Sequence, residues 1–260
     1  MKDCKSRSPF CLIKRNSYLL IVLVLCCLFT VYGRDKAYAV DISVGATTWY
    51  AWWDWENTAA GARDPDVDPI LFFGPVLSVK LNEDFNLTAV FLYGQTDAKF
   101  PDERDVKIKR SDFDLALNYK LNNYFKVFGG LKYLDYTYSF KSFWVTNDYF
   151  IPAVKFEEYG LGPGLGLSCT YPINDHLFLL GTFSGFYLWG EMENSGIRKE
   201  NTEIYGINST LSIAYYIAQA STAISLGGRF QYFISDDNIK GKKEDKFYGI
   251  TLTATYSVSL

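Results

Sequence analysis

The chain has 260 residues, of which 48% are hydrophobic, 18% aromatic and 21% charged. This aromatic content excludes intrinsic disorder, collagen and coiled coil, which have fewer aromatic residues or a different repeat. The formal charge is −3, but seven of the 26 Lys and Arg and only two of the 29 Asp and Glu fall in residues 1–39, so the remainder has a net charge of −8. Such an acidic body offers no basic surface for nucleic acid.

Residues 1–39 are typical of a bacterial secretory signal peptide. Two basic residues precede an uncharged run at 18–32, and an Ala-Tyr-Ala segment that ends at Ala39 supplies the small residues of a cleavage site. The uncharged run is shorter than the roughly 20 residues of a spanning helix, which disfavours the alternative of an uncleaved anchor. We predict cleavage after Ala39, or alternatively after Gly33, and a mature domain of residues 40–260.

From residue 41 onward, apolar and polar residues alternate with period two, the pattern of strands with one apolar and one polar face. The clearest case is 250–260, where every second residue is apolar and those between are Thr or Ser. The pattern predicts about ten strands, at roughly 41–56, 71–81, 85–96, 108–121, 124–138, 157–171, 177–191, 203–217, 220–234 and 247–260. The connections between them alternate between short turns and longer polar loops, which are expected at 57–70, 97–107, 139–156, 192–202 and 235–246.

An even number of strands, with short turns at one end and longer loops at the other, indicates an outer-membrane β-barrel. Each predicted strand reaches the roughly 9–11 residues that a tilted strand needs to cross the bilayer. Aromatic residues lie where interfacial girdles are expected: Tyr50 and Trp52 at one end, Tyr119, Phe125 and Tyr171 at the other. The alternative is a soluble exported β-sandwich, but its outward face would be rich in charges, whereas here the polar face is mostly Gly, Ser, Thr and Asn.

The chain resembles the small outer-membrane β-barrel proteins of Gram-negative bacteria as a class, over nearly all of residues 41–260. The last strand, which ends on Tyr256, Val258 and Leu260, resembles the terminal signal read by barrel-assembly machinery, although that signal commonly ends in Phe. No motif identifies one family. The resemblance implies an all-β, antiparallel up-and-down barrel in the bacterial outer membrane. Its expected partners are membrane lipid, lipopolysaccharide and, during insertion, the assembly machinery.

The polar face of the strands is expected to line the lumen. Same-face parity places Asp114 opposite Lys132, and Glu158 on the next strand, nearer the loops. Glycines at 160, 162, 164 and 166 leave room that large side chains from the first strand can fill. The lumen or selectivity candidates are Lys80, Asp114, Lys132, Glu158, Arg229, Trp49 and Trp53, with Trp55 as a further space-filling residue.

These charges allow two interpretations. They form either an ion-pair network that closes a narrow barrel or a selectivity constriction in a small pore. Buried charges must be paired in both cases, so the sequence does not separate the two. Ten strands lie nearer to the eight-stranded barrels that side chains fill than to the 16–18-stranded porins. At most a narrow path is therefore expected.

No enzymatic activity is expected, and no catalytic, cofactor or metal site. The ten strands also resemble the omptin proteases, a family that places an Asp–His couple at the extracellular rim, but the single histidine, His176, falls in a predicted short turn at the other end. The charged segment 240–246 in the last loop is expected to be a soluble tip. We predict a structural or surface-interaction role through the loops, with a narrow porin-like channel as the first alternative and a rim-site enzyme as the second.

Overall fold

The computed structural model describes residues 41–57, 64–100, 105–146, 149–151, 153–194, 198–237 and 241–259. The predicted signal peptide lies outside these residues. Within them, no helix is both long and apolar enough to cross a lipid bilayer.

Across these ranges, ten long antiparallel strands form a closed barrel in which each pairs with its neighbours in sequence and the first pairs with the last. The strands are β1 (Asp41–Asn57), β2 (Ile70–Lys80), β3 (Phe85–Lys99), β4 (Asp105–Lys120), β5 (Phe125–Phe140), β6 (Val154–Pro172), β7 (Leu177–Asn194), β8 (Arg198–Ile217), β9 (Thr222–Asp237) and β10 (Gly241–Ser259). The two-residue strand Asp66–Val67 pairs with β3, and Phe143–Thr146 pairs with Tyr149–Ile151 in a separate hairpin. The predicted fold is confirmed.

Three of the four short turns are built in the same way, around one asparagine. The side-chain oxygens of Asn82, Asn122 and Asn174 each accept hydrogen bonds from the backbone amides two and three residues later, at 2.8–2.9 Å. An Asx turn of this kind satisfies backbone donors that the strands leave free. The fourth turn is the 3-10 helix Ala218–Ala220, followed by Ser221 with a left-handed φ of 46°.

The outer face of the barrel is apolar. Leu165, Leu211 and Leu226 are 70%, 61% and 59% exposed, and Ile250, Leu252, Tyr256 and Val258 of the last strand are also exposed. An apolar band of this extent is stable only against lipid, which excludes the soluble sandwich, whose apolar face would point inward. Trp52 stacks on Tyr248 with 5.9 Å between ring centroids at the loop end. The chain is therefore a transmembrane barrel of the outer-membrane class.

The inner face changes character along the barrel axis. Toward the loops it is filled by buried aromatic and aliphatic side chains. Toward the short turns it is lined by small polar residues that remain partly accessible, among them Ser43 and Ser168. Hydroxyl pairs join β1 to β10 there, Ser43 to Ser257 at 2.8 Å and Thr47 to Thr253 at 2.7 Å. The interior is thus packed in the loop half and polar in the short-turn half.

Two sequence-based expectations are corrected by the structure. The strands extend further toward the loops than predicted, so that β10 begins at Gly241 and the segment 241–246 is strand rather than a soluble tip. The space beside Gly160 is occupied by Leu188 of β7 and Ile204 of β8 rather than by a tryptophan, since these side chains lie nearest to where its Cβ would be. In β7, Phe186 is buried and Trp189 is exposed.

Candidate functional site

A layer of rings fills the lumen in the loop half, and we call it the aromatic plug. Tyr136 of β5 lies 6.0 Å from Trp53 of β1 and 6.4 Å from Phe233 of β9, measured between ring centroids. Because β5 is four strands away from both β1 and β9 around the wall, these contacts cross the lumen. The members of the plug are all less than 5% exposed: Trp49, Trp53, Phe72, Tyr136, Phe233 and Phe247.

Next to the plug, five charged side chains form what we call the central cluster: Arg110, Asp112, Asp114, Lys132 and Arg229. Lys132 Nζ lies 2.6 Å from Asp112 Oδ1 and 2.9 Å from Asp114 Oδ1. Arg110 Nη2 lies 2.9 Å from the other oxygen of Asp112. Arg229 Nη2 completes the cluster at 3.8 Å from Asp112 and 3.9 Å from Asp114. The register that brings Asp114 opposite Lys132 is the one that the sequence predicts.

Arg110 joins the central cluster to the aromatic plug. Its guanidinium is 1% exposed and lies over the ring of Phe247, with Cζ 4.3 Å from the ring centroid. Nη2 also donates a hydrogen bond to Gln231 Oε1 of β9. Since β4 and β9 are five strands apart in a ring of ten, this bond connects diametrically opposite walls. Stacking on rings and charge pairing together compensate the desolvation of a buried guanidinium.

A second group of side chains lies on the loop side of the plug and shares Trp53 with it. We call this group the mouth cluster: Trp53, Tyr138, Glu158, Lys243 and Asp245. Lys243 Nζ lies 3.0 Å from Glu158 Oε2 and 3.2 Å from Asp245 Oδ2, and donates to the Tyr138 hydroxyl at 2.7 Å. Trp53 Nε1 donates to Asp245 Oδ1 at 2.8 Å. Lys243 and Tyr138 lie on opposite strands, β10 and β5, so this cluster also spans the lumen.

The predicted site residues do not form one group. Asp114, Lys132 and Arg229 meet in the central cluster. Trp49 lies beside this cluster, with its ring centroid 4.6 Å from Arg229 Cζ. Glu158 is separated from them and belongs with Trp53 to the mouth cluster. Lys80 shares the inward parity but lies at the short-turn opening, where its half-exposed side chain pairs with Asp41 at 3.3 Å. A single constriction that contains all these residues is therefore not what the structure shows.

Four charged residues of the two clusters are missing from the sequence prediction. Arg110 and Asp112 precede Asp114 at intervals of two, so the strand period already places all three on one face. Lys243 and Asp245 are fully strand residues, but they lie in the segment that the sequence indicates as loop.

His176 lies in the short turn before β7, at the opposite end of the barrel, where its backbone amide donates to Asn174 Oδ1. In the part of the chain that the structure describes, no group of three or more His, Cys, Asp and Glu side chains is arranged to hold a metal ion.

No protein-family model matches the chain. No curated protein matches it either. Similar solved structures include the outer membrane protease OmpT from Escherichia coli, with 12% identity, 85% of this chain and 97% of that chain covered, and a TM-score of 0.49. The β domain of the Bordetella autotransporter BrkA has 9% identity, coverage of 86% and 100%, and a TM-score of 0.47.

The outer membrane protein OprG from Pseudomonas aeruginosa is also similar, with 16% identity, coverage of 86% and 98%, and a TM-score of 0.34. At these identities and scores, the activities of the similar proteins say nothing about this chain. The fold follows from the closed strand order and the apolar exterior described above.

Proposed function

We propose that this protein is a closed outer-membrane barrel that forms no permanent channel and acts at the cell surface through its loop end. The observation that supports this is the set of contacts across the lumen. Arg110 bonds to Gln231 on the opposite wall, and Lys243 bonds to Tyr138 on the opposite wall. Because these two contacts and the aromatic plug each bridge the barrel, we expect no continuous aqueous path through the loop half.

The first alternative is a narrow channel for ions or small solutes. It is favoured by the short-turn half alone, where hydroxyl and amide side chains such as Asn118 and Ser168 line an accessible lumen. In a conducting barrel, Asp114 would face this passage, since it is about one-third exposed while Asp112 is buried. Replacing Asp114 with Ala would then change the ion selectivity.

The proposed role includes no catalysis. The chain has one histidine, and its turn lies away from the loops. General-base chemistry at the rim would therefore depend on carboxylates alone, such as Asp54.

The test is planar-bilayer conductance of the protein purified from membranes, with heat-modifiable gel mobility as the measure of folding. We expect a folded barrel that produces no discrete conductance steps. Reproducible steps from the unmodified protein would contradict the proposal and favour the channel, and the Asp114→Ala variant would then identify the selectivity residue.

A matched pair of double variants tests whether the plug is what closes the lumen. Trp49→Ala with Phe247→Ala removes two rings that face inward, 6.0 Å apart, on β1 and β10. Trp52→Ala with Tyr248→Ala removes two stacked rings from the outer face of the same two strands. We expect conductance steps from the first pair and silence from the second. Silence from a folded inward variant would show that the charged clusters close the lumen without the rings.

A further inference from the structure

A cavity of about 220 Å³ opens at the loop end of the lumen, directly above the mouth cluster. Its wall on the side of β1, β5 and β6 is aromatic, with Trp55, Phe140 and Phe156. Its wall on the side of β8 and β9 is polar, with Thr202 and Ser235. Binding sites for drug-sized ligands occupy roughly 300–1,000 Å³. This cavity is therefore suited to a smaller molecule that has one apolar and one polar side.

Four residues that line this cavity each carry a buried polar side-chain atom without a hydrogen-bond partner. Three of these atoms are oxygens, Glu158 Oε1, Thr202 Oγ1 and Ser235 Oγ, whose residues are 0%, 2% and 4% exposed, and the fourth is the indole Nε1 of Trp55. Buried polar groups are normally satisfied, because an unpaired one costs about 1–3 kcal/mol. The three oxygens belong to residues on β6, β8 and β9, so hydrogen-bond acceptors without a partner lie on three strands of the cavity wall.

The charges of the mouth cluster indicate the sign of that group. Glu158 and Asp245 are both fully buried, and one ammonium, that of Lys243, lies within 3.2 Å of each. Arg110 is the next cation, but its hydrogen bonds go to Asp112 and Gln231. Two carboxylates that share one close cation favour the arrival of a second positive charge.

Lys243 also shows how this environment accommodates a primary ammonium. Its Nζ lies 5.4 Å from the ring centroid of Trp55 and 5.2 Å from that of Tyr138, in addition to its contacts with carboxylate and hydroxyl oxygens. Aromatic faces and carboxylates together are the usual surroundings of a bound alkylammonium. The free oxygen of Glu158 extends the same chemistry into the cavity.

We propose that the cavity binds a small primary amine with a single aromatic or short apolar body. The ammonium group pairs with Glu158 Oε1 and donates to the hydroxyls of Thr202 and Ser235, while the apolar body packs on Trp55, Phe140 and Phe156. This inference deepens the proposed surface role and rests on it only in that the cavity must face the outside. It requires no channel.

The test is calorimetric titration of the micelle-solubilised, membrane-purified protein with three probes of one shape. These are 2-phenylethylamine, the neutral 2-phenylethanol and the anionic 3-phenylpropionate, each corrected for partition into protein-free micelles. We expect the amine to bind at least about tenfold more tightly than the alcohol, a ratio equivalent to one good charge-assisted contact. Equal affinities for the three probes, or a preference for the anion, would overturn the proposal.

Two variants and one control locate the site. Glu158→Gln retains the shape but removes the charge, and we expect it to lose the preference for the amine. Glu157→Gln is the matched control, since Glu157 is the next residue on β6 and pairs with Lys155 at 2.5 Å on the outer side. Met192→Trp narrows the cavity without changing a charge, and should abolish binding of both the amine and the alcohol.

Met192→Trp also decides the matter if Glu158→Gln does not fold. Amine binding that persists in a folded Met192→Trp variant would exclude this cavity. The result is independent of conductance. A barrel that shows no conductance steps and no preference for the amine contradicts this inference alone. A barrel that conducts and binds the amine contradicts only the proposed closure.

Discussion

The central cluster and the mouth cluster use the same residue types in one lumen, yet they differ in how completely their carboxylates are paired. In the central cluster three cations face two carboxylates, and every oxygen of Asp112 and Asp114 has a cationic nitrogen within hydrogen-bond distance. In the mouth cluster the Lys243 ammonium serves two carboxylates, and one oxygen of Glu158 has no partner. Carboxylates whose oxygens are all paired hold the barrel wall together, whereas a carboxylate oxygen that lacks a partner near an opening is available to a ligand.

The largest effect is expected from removing a cation that pairs with the carboxylates of the central cluster. Lys132→Met removes the ammonium shared by Asp112 and Asp114, so a fully buried carboxylate loses its nearest partner. We expect the free energy of unfolding to fall by about 3 kcal/mol, as for other buried pairs that lose one member. Guanidinium unfolding in micelles, followed by tryptophan fluorescence, measures it.

The control for this variant is Lys80→Met at the short-turn opening. Its ion pair with Asp41 is formed between half-exposed side chains, and exposed pairs contribute less than about 1 kcal/mol. A loss as large as that of Lys132→Met would show that burial does not separate the two sites.

Much of the central cluster was predictable because register in a barrel is strongly constrained. The turn after Leu121 is short, and the alternating pattern fixes which residues share a face. The sequence alone therefore brings Asp114 opposite Lys132, as the structure confirms. It does not reveal that Arg110 reaches Gln231, because that bond crosses the lumen between strands that are distant along the wall.

The mouth cluster was not predictable for a different reason. Within the bilayer, lipid selects apolar residues on one face, and the resulting period of two reveals the strand. Beyond it both faces are polar, as in the segment 242–246, and the period disappears although backbone pairing with β1 and β9 continues. The sequence therefore begins the last strand too late, at 247, and assigns Lys243 and Asp245 to a loop.

A smaller loss of stability is expected from removing a polar side chain whose hydrogen bonds lie in an exposed turn rather than in the lumen. Asn122 Oδ1 accepts from the amides of Tyr124 and Phe125. Asn122→Ala leaves both donors to water, and we expect a loss of about 1 kcal/mol in the free energy of unfolding. The adjacent Asn123→Ala is the control and should cost less. Equal losses would mean that the turn does not depend on this motif.

The smallest effect is expected from a charge pair outside the apolar belt, where water competes with both partners. The hydrogen bond and positive charge of Lys141 lower the pKa of the Asp105 carboxyl, and the pair is 2.9 Å apart. Because the pKa is lowered on folding, the pair stabilises the folded state above the ordinary Asp pKa of about 3.9 and is lost as the pH falls through the lowered value.

An NMR titration of the Asp105 carboxyl carbon measures this pair directly. The midpoint should lie below that of a free aspartate and rise toward it in Lys141→Met, while Lys109→Met on the same strand should leave it nearly unchanged. High salt should have the same direction of effect as Lys141→Met, because an exposed pair is screened, whereas the buried clusters are not. If the titration midpoint of Asp105 changes neither in Lys141→Met nor at high salt, Lys141 does not pair with Asp105 in solution. The contrast between exposed and buried ion pairs would then be supported only by the two lumen clusters and the pair of Lys80 with Asp41.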